Sequence, residues 1–341
     1  MKRILMTTAA LAAGLTTAEA GGLDRSGQGI GFMFEKGTYA EVSFGYVMPS
    51  VESDVFPLGN VVPNYSSLGL AYKRDFSDKL SFGLQIDQPY GAHVQYPAGA
   101  PLLGTYADLW SVSINAIGRY KFNDTFSAHA GLSYVTIDGR ISVPSRGVDP
   151  QSFSADADVG YMVGVAFEKP EIALRVALTY FSGTEHALDS SLGTVGTINP
   201  PQAINLDFQT GIAANTLLFG QIRWADWSET QVNIPPAAGA APLLTYAEDR
   251  ISYTLGLGRK FNDTWSGAVT VGYEETQGGI TSLLSPTDGY TSLGLAATYT
   301  KDNMKVTGGV RYVDVGDATT AIGGFSGNSA IGLGVKVGWT F

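Results

Sequence analysis

The 341-residue chain carries 21 Lys and Arg against 31 Asp and Glu, a formal net charge of −10, and it has no cysteine. This balance argues against nucleic acid as a partner, because phosphate binding requires clustered cations, and the lack of Cys excludes disulfides and thiol chemistry. The 43 Gly, 17 Tyr and 16 Phe, with only 15% charged residues, favour strands, tight turns and aromatic girdles over helices. No apolar run approaches the roughly 18 residues that a membrane helix requires.

The N-terminus has the pattern of an export signal. Lys2 and Arg3 precede a short apolar stretch at residues 4–15, and a small-x-small cleavage site ends at Ala20. This arrangement predicts that residues 1–20 are a secretory signal peptide, removed after Ala20. A short segment, residues 21–38, then precedes the first predicted strand.

Most of the remaining chain alternates between apolar and polar residues with a period of two, which is the signature of strands. The clearest run begins at Trp110, and similar runs begin at Val159 and Ile172. Runs of about ten residues suit tilted strands that cross a bilayer. The runs between turns predict about fourteen strands and therefore an all-β, transmembrane antiparallel β-barrel over residues 39–341. A soluble β-protein is the alternative, because half-buried strands also occur in sandwiches.

Two kinds of connection join these runs. The turn KFNDTFS at residues 121–127 recurs as KFNDTWS at 260–266, and such Asx-type turns suit short connections. The longer connections are rich in Gly, Pro and Ser and lie at residues 97–104, 144–155, 182–201 and 235–242. Short turns at one rim and long loops at the other are typical of outer-membrane barrels.

The last strand carries the sharpest local signal. Its alternation continues through Trp339, and the sequence closes on Phe341. This pattern resembles the signal by which the barrel assembly machinery recognises its clients, so both aromatics are predicted to act in assembly. We therefore expect the protein in the outer membrane of a Gram-negative cell, surrounded by outer-membrane lipid and lipopolysaccharide. Acidic loop residues such as Asp149 and Glu248 could bind cations that bridge lipopolysaccharide, or could simply be solvated.

The chain shows no pattern of catalytic or metal-binding residues. Its three histidines, His93, His129 and His186, lie in separate runs without the spacing of metal ligands. No G-x-S-x-G motif presents a nucleophile. We therefore expect neither an enzyme nor a cofactor or metal site, the alternative being a barrel hydrolase with scattered catalytic groups.

The two-residue alternation along the strands predicts that four arginines lie on the inner face of the wall: Arg119, Arg175, Arg223 and Arg311. Inward arginines can pair with inward acids, and Glu41 is one candidate. Each could instead hold a ligand carboxylate through a bidentate contact. The four are therefore candidate ligand contacts in the lumen.

A break interrupts the third predicted strand. The run at residues 79–87 is regular, but Pro89 and Gly91 interrupt it before alternation resumes at Ala92. Proline donates no ladder hydrogen bond and glycine favours bulges, so strand pairing should fail here. A simple turn is the plainer interpretation. In lipid, unpaired backbone groups cost several kcal/mol each unless protein or water satisfies them. A break within a wall strand would therefore indicate a functional feature.

Four stretches resemble the FadL-type family of outer-membrane transporters for long-chain fatty acids and other hydrophobic compounds. In chain order they are Pro89-Tyr90-Gly91 with Tyr96, ALTYFS at 177–182 with His186, RWADWS at 223–228, and SPTD at 285–288 with LGL at 293–295. The first is similar to the family's P-F/Y-G segment after strand three, and the third to its W-T-D-W-S box. Their order and spacing hold over most of the mature chain.

The resemblance implies a monomeric fourteen-stranded barrel with an N-terminal hatch, here residues 21–38. It also implies that Pro89, Tyr90 and Gly91 form a lateral gate through which a hydrophobic ligand, above all a long-chain fatty acid, leaves into the membrane. An acyl chain gains about 0.8 kcal/mol per CH₂ removed from water, which makes an aqueous exit the costly route. Phe181 stands where the family usually has Arg, so the upper lumen should be more apolar and Phe181 joins the candidate ligand contacts.

Two departures from the family affect these expectations. Residues 21–38 are few and lack the family's Asn-Pro-Ala motif, so the hatch must be reduced or built differently. The loop predicted at 144–155 lacks the helical length with which family members first capture ligand, so their ligand contacts do not transfer. A general diffusion porin and a structural outer-membrane barrel are the alternative functions. A porin would conduct in planar bilayers without binding fatty acid, and a structural barrel would do neither.

Overall fold

Strands dominate the described part of the chain, which comprises residues 23–98, 102, 104–235 and 241–341 of the computed structural model. The predicted signal peptide lies outside these residues. The strands are β1 (Tyr39–Ser50), β2 (Tyr65–Asp75), β3 (Leu80–Asp87), β4 (Gly91–Gln95), β5 (Tyr106–Lys121), β6 (Phe126–Val143), β7 (Val148–Lys169), β8 (Leu174–Phe181), β9 (His186–Asp189), β10 (Val195–Ile198), β11 (Ala203–Ala213), β12 (Thr216–Ala225), β13 (Gln231–Asn233), β14 (Leu244–Thr245), β15 (Arg250–Lys260), β16 (Trp265–Glu274), β17 (Ile280–Thr281), β18 (Tyr290–Lys301), β19 (Met304–Val315), β20 (Ala318–Thr320), β21 (Gly323–Phe325) and β22 (Asn328–Thr340). Short 3₁₀ turns lie at Gly31–Phe34, Pro144–Arg146, Pro170–Ile172 and Trp227–Glu229. Within the described ranges, no helix is long and apolar enough to cross a membrane.

Fourteen strand positions close into one antiparallel barrel. Around the described wall the order is β3-β2-β1-β22-β19-β18-β16-β15-β12-β11-β8-β7-β6-β5, and β5 pairs back with β3. β4 continues the line of β3 and also pairs with β5, from Gly91 opposite Trp110 to Gln95 opposite Tyr106. The predicted all-β antiparallel barrel is therefore confirmed, and its first strand begins at Tyr39.

The outer surface of the wall is apolar. In β5, Trp110, Val112 and Ile114 are exposed, whereas Ser111 and Ser113 face the lumen and are buried. The same alternation exposes large side chains all round the barrel, including Leu84, Leu132, Tyr161, Leu255, Leu293 and Leu333. An exposed apolar belt of this extent is foreign to soluble monomers and matches the lipid-facing band of a transmembrane barrel.

The two rims of the barrel differ in the length of their connections, as the sequence predicts. At one rim, the turn end, successive strands join through short turns, in which Asn215 and Asp302 adopt positive φ angles of 58° and 53°. At the other rim, the loop end, the connections form two small sheets, β14-β13-β10-β9 and β17-β20-β21. The first of these is the lid sheet. A buried apolar cluster packs the loops together and includes Val61, Tyr96, Leu102, Val148, Ile234, Leu284 and Phe325.

The prediction of a long loop at residues 144–155 is wrong. β6 reaches Val143 and β7 begins at Val148, so one 3₁₀ turn connects them. The ladder continues beyond a register shift, with Gly139 opposite Phe153. The polar composition of this stretch resembles a loop, and the register shift interrupts the alternation that would have indicated a strand.

Residues 23–38, the hatch segment, lie inside the barrel. Ile30, Phe32, Met33 and Phe34 are buried, and they pack against wall residues Ala71, Ile117, Met162, Ala166, Ala177 and Phe181. Gly83 leaves room for this contact, because a Cβ there would collide with Met33 and lie 2.7 Å from the Phe32 ring. The short segment thus fills the lumen on the turn side with four large apolar side chains.

Cations of the wall hold the same segment. The guanidinium carbons of Arg119 and Arg175 lie 4.4 and 4.6 Å from the centroid of the Phe34 ring. Lys73 donates hydrogen bonds to the backbone oxygens of Glu35, at 2.7 Å, and Gly37, at 3.1 Å. The hatch segment is therefore anchored by cation–π contacts and by charge-assisted hydrogen bonds.

Candidate lateral opening and lumen cavities

The third barrel strand is broken between β3 and β4. Asp87 pairs with Ser113 and Gly91 pairs with Trp110, so three residues of the broken strand oppose two of β5. This bulge reverses the alternation. Asp87 faces inward, where it accepts a hydrogen bond from the hatch segment, and beyond the break the even-numbered Val94 is the buried residue. Bulges commonly re-aim a strand next to a functional site.

The break leaves a gap in the wall between β2 and β4. β2 begins at Tyr65, but its ladder with β3 extends only from Leu70 to Asp75. Among the described strands, β4 pairs with β5 alone. Residues 65–69 of β2 therefore face β4 without a strand ladder between them.

Single hydrogen bonds frame this gap. On its turn side, Leu68 N–H donates to the side-chain oxygen of Gln88 at 2.9 Å. On its loop side, Gln95 N–H donates to the Val61 carbonyl at 2.8 Å. The gap is therefore a window of limited height rather than a slit that runs to the rim.

The backbone at the break is satisfied from inside the barrel. The hydroxyl of Ser111 accepts from Tyr90 N–H at 2.8 Å and donates to the Tyr90 carbonyl at 2.7 Å. From the hatch segment, Arg25 N–H donates to the Pro89 carbonyl, and Gly91 N–H donates to the Leu23 carbonyl, both at 2.8 Å. The hatch segment thus acts as a short extra strand at the point where the wall ladder fails, which offsets a cost that lipid would otherwise impose.

The Tyr90 side chain points into the protein rather than into the gap. Its ring packs edge-on against Trp227 with centroids 6.2 Å apart, and its hydroxyl donates to the Pro201 carbonyl at 3.4 Å. The Trp227 ring also contacts the ring of Tyr246, with centroids 5.1 Å apart. Burial raises the pKa of the Tyr246 phenol. The predicted gate residue Tyr90 therefore belongs to an aromatic cluster with Trp227 and Tyr246 beside the break.

Two of the stretches quoted for the family resemblance meet next to this cluster. Tyr180 donates to the Gln202 side-chain oxygen at 2.8 Å, and the Gln202 amide donates to Asp226 at 2.8 Å. Trp224 Nε1 donates to Asp249 at 3.0 Å. These bonds fasten the ALTYFS and RWADWS stretches together at the loop end.

Two cavities adjoin the break and share part of their lining. The apolar cavity, about 60 Å³, lies under the lid sheet and is lined mainly by Leu23, Ala92, Leu109, Ile141, Phe153, Leu188, Ile198, Val232 and Leu244. The gap cavity, about 80 Å³, lies inside the barrel next to the gap, and its lining includes Leu23, Arg25, Val47, Tyr65, Gly91, Ala92 and Pro286. Leu23, Ala92 and Leu284 line both cavities. Ala92 therefore lies where the two cavities adjoin.

An ionic row fastens β4 to its neighbours. His93 Nδ1 contacts Asp108 of β5, and Arg140 Nε of β6 lies 2.5 Å from the same carboxylate. These residues are direct partners in the sheet register. Because β4 has one ladder partner, the row helps to keep the edge of the gap in place.

The four predicted arginines divide into two pairs. Arg119 forms an ion pair with Glu168 and donates to Ser127 at 3.0 Å. Arg223 lies 2.6 Å from Asp24 of the hatch segment. Arg175 and Arg311 line a third cavity. Arg119 and Arg223 are therefore held by acidic partners. Arg175, which packs on Phe34, and Arg311, which donates to the Ser292 hydroxyl at 2.8 Å, also face the space in the barrel interior.

This third cavity, the lumen cavity, has a different character. It encloses about 90 Å³. Its lining combines polar residues (Ser26, Arg175, Asp207, Gln209, Gln221, Thr254, Thr270 and Arg311), apolar residues (Phe208, Phe219, Leu295, Ala296 and Val310) and six glycines. Polar groups take a larger share of this lining than of the apolar cavity's, although apolar side chains line it as well. Phe181 lies instead in the cluster that holds the hatch segment, and Glu41, expected to pair with an inward arginine, lies 3.7 Å from Lys336.

Three residues that contact the gap were not predicted from the sequence, and all three lie in the hatch segment. Leu23, Asp24 and Arg25 line the break or bond to it. The adjacent charges of Asp24 and Arg25, isolated in a stretch of uncharged residues before Glu35, were the signal available. Inside a barrel such charges require partners.

A closed antiparallel barrel with a broken third strand and an internal N-terminal segment is the fold of FadL-type channels. Solved structures support this assignment. A FadL homologue of Pseudomonas aeruginosa matches with a TM-score of 0.75 and 12% identity, over 91% of this chain and 92% of that chain. The toluene transporter TodX of Pseudomonas putida matches with a TM-score of 0.69 and 12% identity, over 97% of each chain.

The toluene transporter TbuX of Ralstonia pickettii also matches, with a TM-score of 0.67 and 13% identity over 90% of each chain. No family model and no curated protein matches the sequence. At these identities the comparison establishes the fold, and it confirms the resemblance that the four sequence stretches indicated.

Proposed function

We propose that this protein is an outer-membrane channel that binds hydrophobic molecules in the apolar cavity and releases them sideways through the gap between β2 and β4. One observation carries the proposal: Leu23, Ala92 and Leu284 line both the apolar cavity and the gap cavity. The adjoining cavities would give an apolar molecule a route from the loop end to the lipid that avoids Arg175, Asp207 and Arg311 of the lumen cavity. Such a route preserves the free energy gained by burying apolar surface.

Long-chain fatty acids are the first substrate class that we propose. Each buried CH₂ is worth about 0.8 kcal/mol, so a lateral path favours long acyl chains over an aqueous exit. Pro89 and Gly91 would create the gate, while Arg175 and Arg311 are candidates for a carboxylate that reaches the lumen.

Neutral aromatic hydrocarbons are the second candidate class. Among the described lining residues of the apolar cavity, the cation is Arg140, which is already paired with Asp108. A cavity without an available cation suits a neutral ligand. Two of the similar structures are described as toluene transporters.

Binding must widen the apolar cavity in either case. Its volume is about 60 Å³, whereas an engineered cavity of about 150 Å³ is known to hold benzene. The lining combines Leu23 of the hatch segment with Leu188 and Leu244 of the lid sheet. We propose that these two elements separate when ligand enters from the loop end.

The setting of this channel completes the proposal. Residues 1–20 would direct export, Trp339 and Phe341 would be recognised by the assembly machinery, and the barrel would work as a monomer among lipid and lipopolysaccharide. The turn end would then face the periplasm. A diffusion porin is less favoured because the hatch segment and the packed loops occupy both ends of the described lumen.

Reconstituted protein in lipid vesicles tests this function. Ala92→Trp should fill the junction of the two cavities and lower the uptake of oleic acid and of toluene to the rate of protein-free vesicles. Leu132→Trp, on the exposed lipid face, is the matched control and should transport normally. Normal uptake by the Ala92→Trp protein would remove the proposed route, and uptake of one compound alone would identify the substrate class.

A further inference from the structure

Two residues of the hatch segment, Leu23 and Arg25, line the gap cavity, and Arg25 reaches β2 with its side chain. Its backbone is fixed at the break, because Arg25 N–H donates to the Pro89 carbonyl at 2.8 Å and the neighbouring Asp24 forms a bridge with Tyr90. Asp24 is in turn paired with Arg223 at 2.6 Å. The position of the Arg25 side chain is therefore determined by the same contacts that satisfy the broken strand.

From this fixed point the Arg25 side chain extends across the gap to β2. Its guanidinium carbon lies 4.2 Å from the centroid of the Tyr65 ring, and Nη1 donates to the Tyr65 hydroxyl at 3.4 Å. Tyr65 belongs to the part of β2 that has no ladder with β4. One half-buried side chain thus connects the two edges that the backbone leaves apart.

Gly91, on the opposite edge of the gap, lies in close contact with the Arg25 side chain. A Cβ at position 91 would lie 3.3 Å from both Cγ and Nε of Arg25 and 3.3 Å from the Leu109 carbonyl. The absence of a side chain at Gly91 therefore does not leave the gap open. The space is taken by Arg25.

We infer that Arg25 closes the lateral gap, and that the gap opens when its contact with Tyr65 is released. This inference rests on the proposed lateral exit and adds the residue that controls it. Because the backbone of Arg25 also pairs with the break, movement of the hatch segment and opening of the wall become one event. A guanidinium on an aromatic face suits such a closure, since the contact is attractive and partly desolvated yet is not a buried ion pair.

Cysteine labelling tests the closure directly, because the chain has no cysteine of its own. Ala92→Cys, which lines both cavities, is introduced with Arg25 intact, with Arg25→Lys and with Arg25→Ala. The proteins are placed in phosphatidylcholine vesicles that contain hexadecyl maleimide, a thiol reagent confined to the lipid. Ala268→Cys, on the inner face of β16 and buried, serves as the matched control site.

Arg25→Ala should raise the labelling rate of Ala92→Cys about tenfold, the factor expected for one lost contact of this strength, and Arg25→Lys should raise it less. Tyr65→Ala should reproduce the effect of Arg25→Ala while leaving the hatch segment unchanged, which keeps the test valid if Arg25→Ala does not fold. Labelling at Ala268→Cys should not change. Equal labelling with and without the guanidinium, or a parallel rise at both cysteines, would overturn the inference.

Oleic acid uptake, measured on the same vesicles, separates this inference from the proposed function. Faster labelling with faster uptake supports both. Faster labelling with unchanged uptake would support the closure by Arg25 but contradict the exit route. Unchanged labelling, while a separate Ala92→Trp protein shows blocked uptake, would reject Arg25 and leave the route intact.

Discussion

Asp24 and Arg223 form a buried ion pair, 2.6 Å from Oδ2 to Nε, that joins the hatch segment to β12 across 199 residues of sequence. Arg223 also donates to Asn205 and Gln28, each at 2.9 Å. One wall side chain thus holds the hatch segment at two points, beside the break in the third strand.

Asp24→Asn should therefore release the hatch segment. The substitution leaves the Arg223 charge buried without its carboxylate, and breaking such pairs costs about 3–5 kcal/mol. Limited trypsin digestion after Arg25 measures the release and should become about a hundredfold faster or more. Asp263→Asn, which removes the exposed carboxylate of a surface ion pair on the turn end, should digest like the unmodified protein. Resistance of the Asp24→Asn protein to trypsin would show that other contacts suffice.

Gly83→Ala should displace the hatch segment from the other side. Its methyl group would collide with Met33 and lie 2.7 Å from Phe32, and overpacking of this kind costs about 1–3 kcal/mol. We expect a lower thermal unfolding temperature and a rise in single-channel conductance in planar bilayers. Met33→Ala in the same chain should reverse part of both changes. Gly308→Ala, where a Cβ meets nothing within 4 Å, is the control and should alter neither.

The barrel fold was predictable from the sequence, because the patterns that specify strands and turns lie within short stretches of the chain. Alternation such as that of Trp110, Val112 and Ile114 decides which face meets lipid, and short Asx turns end the strands. The break was also predictable, since Pro89 removes a donor and Gly91 favours a bulge. That three residues oppose two, which turns Val94 inward, depends on register with β5 and could not be read from one strand.

The candidate site was less predictable because its contacts are long-range. Arg25 and Tyr65 are 40 residues apart, and Asp24 and Arg223 are 199 apart. No periodicity links such positions. Tyr90 was predicted to line the gate, yet its ring packs on Trp227, because the bulge reverses which side of the strand each residue occupies.

Pro89→Val should narrow the gap. Valine restores a β-former and a backbone donor in the broken strand, which favours pairing with β2. Vesicle uptake of oleic acid should fall severalfold, while the affinity of the purified protein for oleic acid is kept, because the apolar cavity is unchanged. Pro97→Val, in the adjacent exposed loop, should affect neither measurement. Unchanged uptake would mean that Pro89 marks only a turn in the wall.

Phe341→Ala tests the predicted assembly signal better than deletion does. The substitution keeps the backbone N–H that donates to the Thr38 carbonyl at 2.8 Å, so only the ring is lost. Pulse labelling of cells should show slower arrival in the outer membrane with normal export. Phe261→Ala, an equally exposed aromatic at the turn end, should insert at the normal rate. Equal rates for all three proteins would remove the assigned role of Phe341.

Capture of a ligand in transit tests the lateral exit most directly. A fatty acid with a photoreactive group at its methyl end is illuminated during uptake, and the modified peptides are identified by mass spectrometry. The proposed route predicts labels at Ala92 and Tyr65, which line the gap cavity. Labels confined to Thr254, Thr270 and Arg311, which line the lumen cavity, would show passage along the barrel axis and contradict exit through the wall.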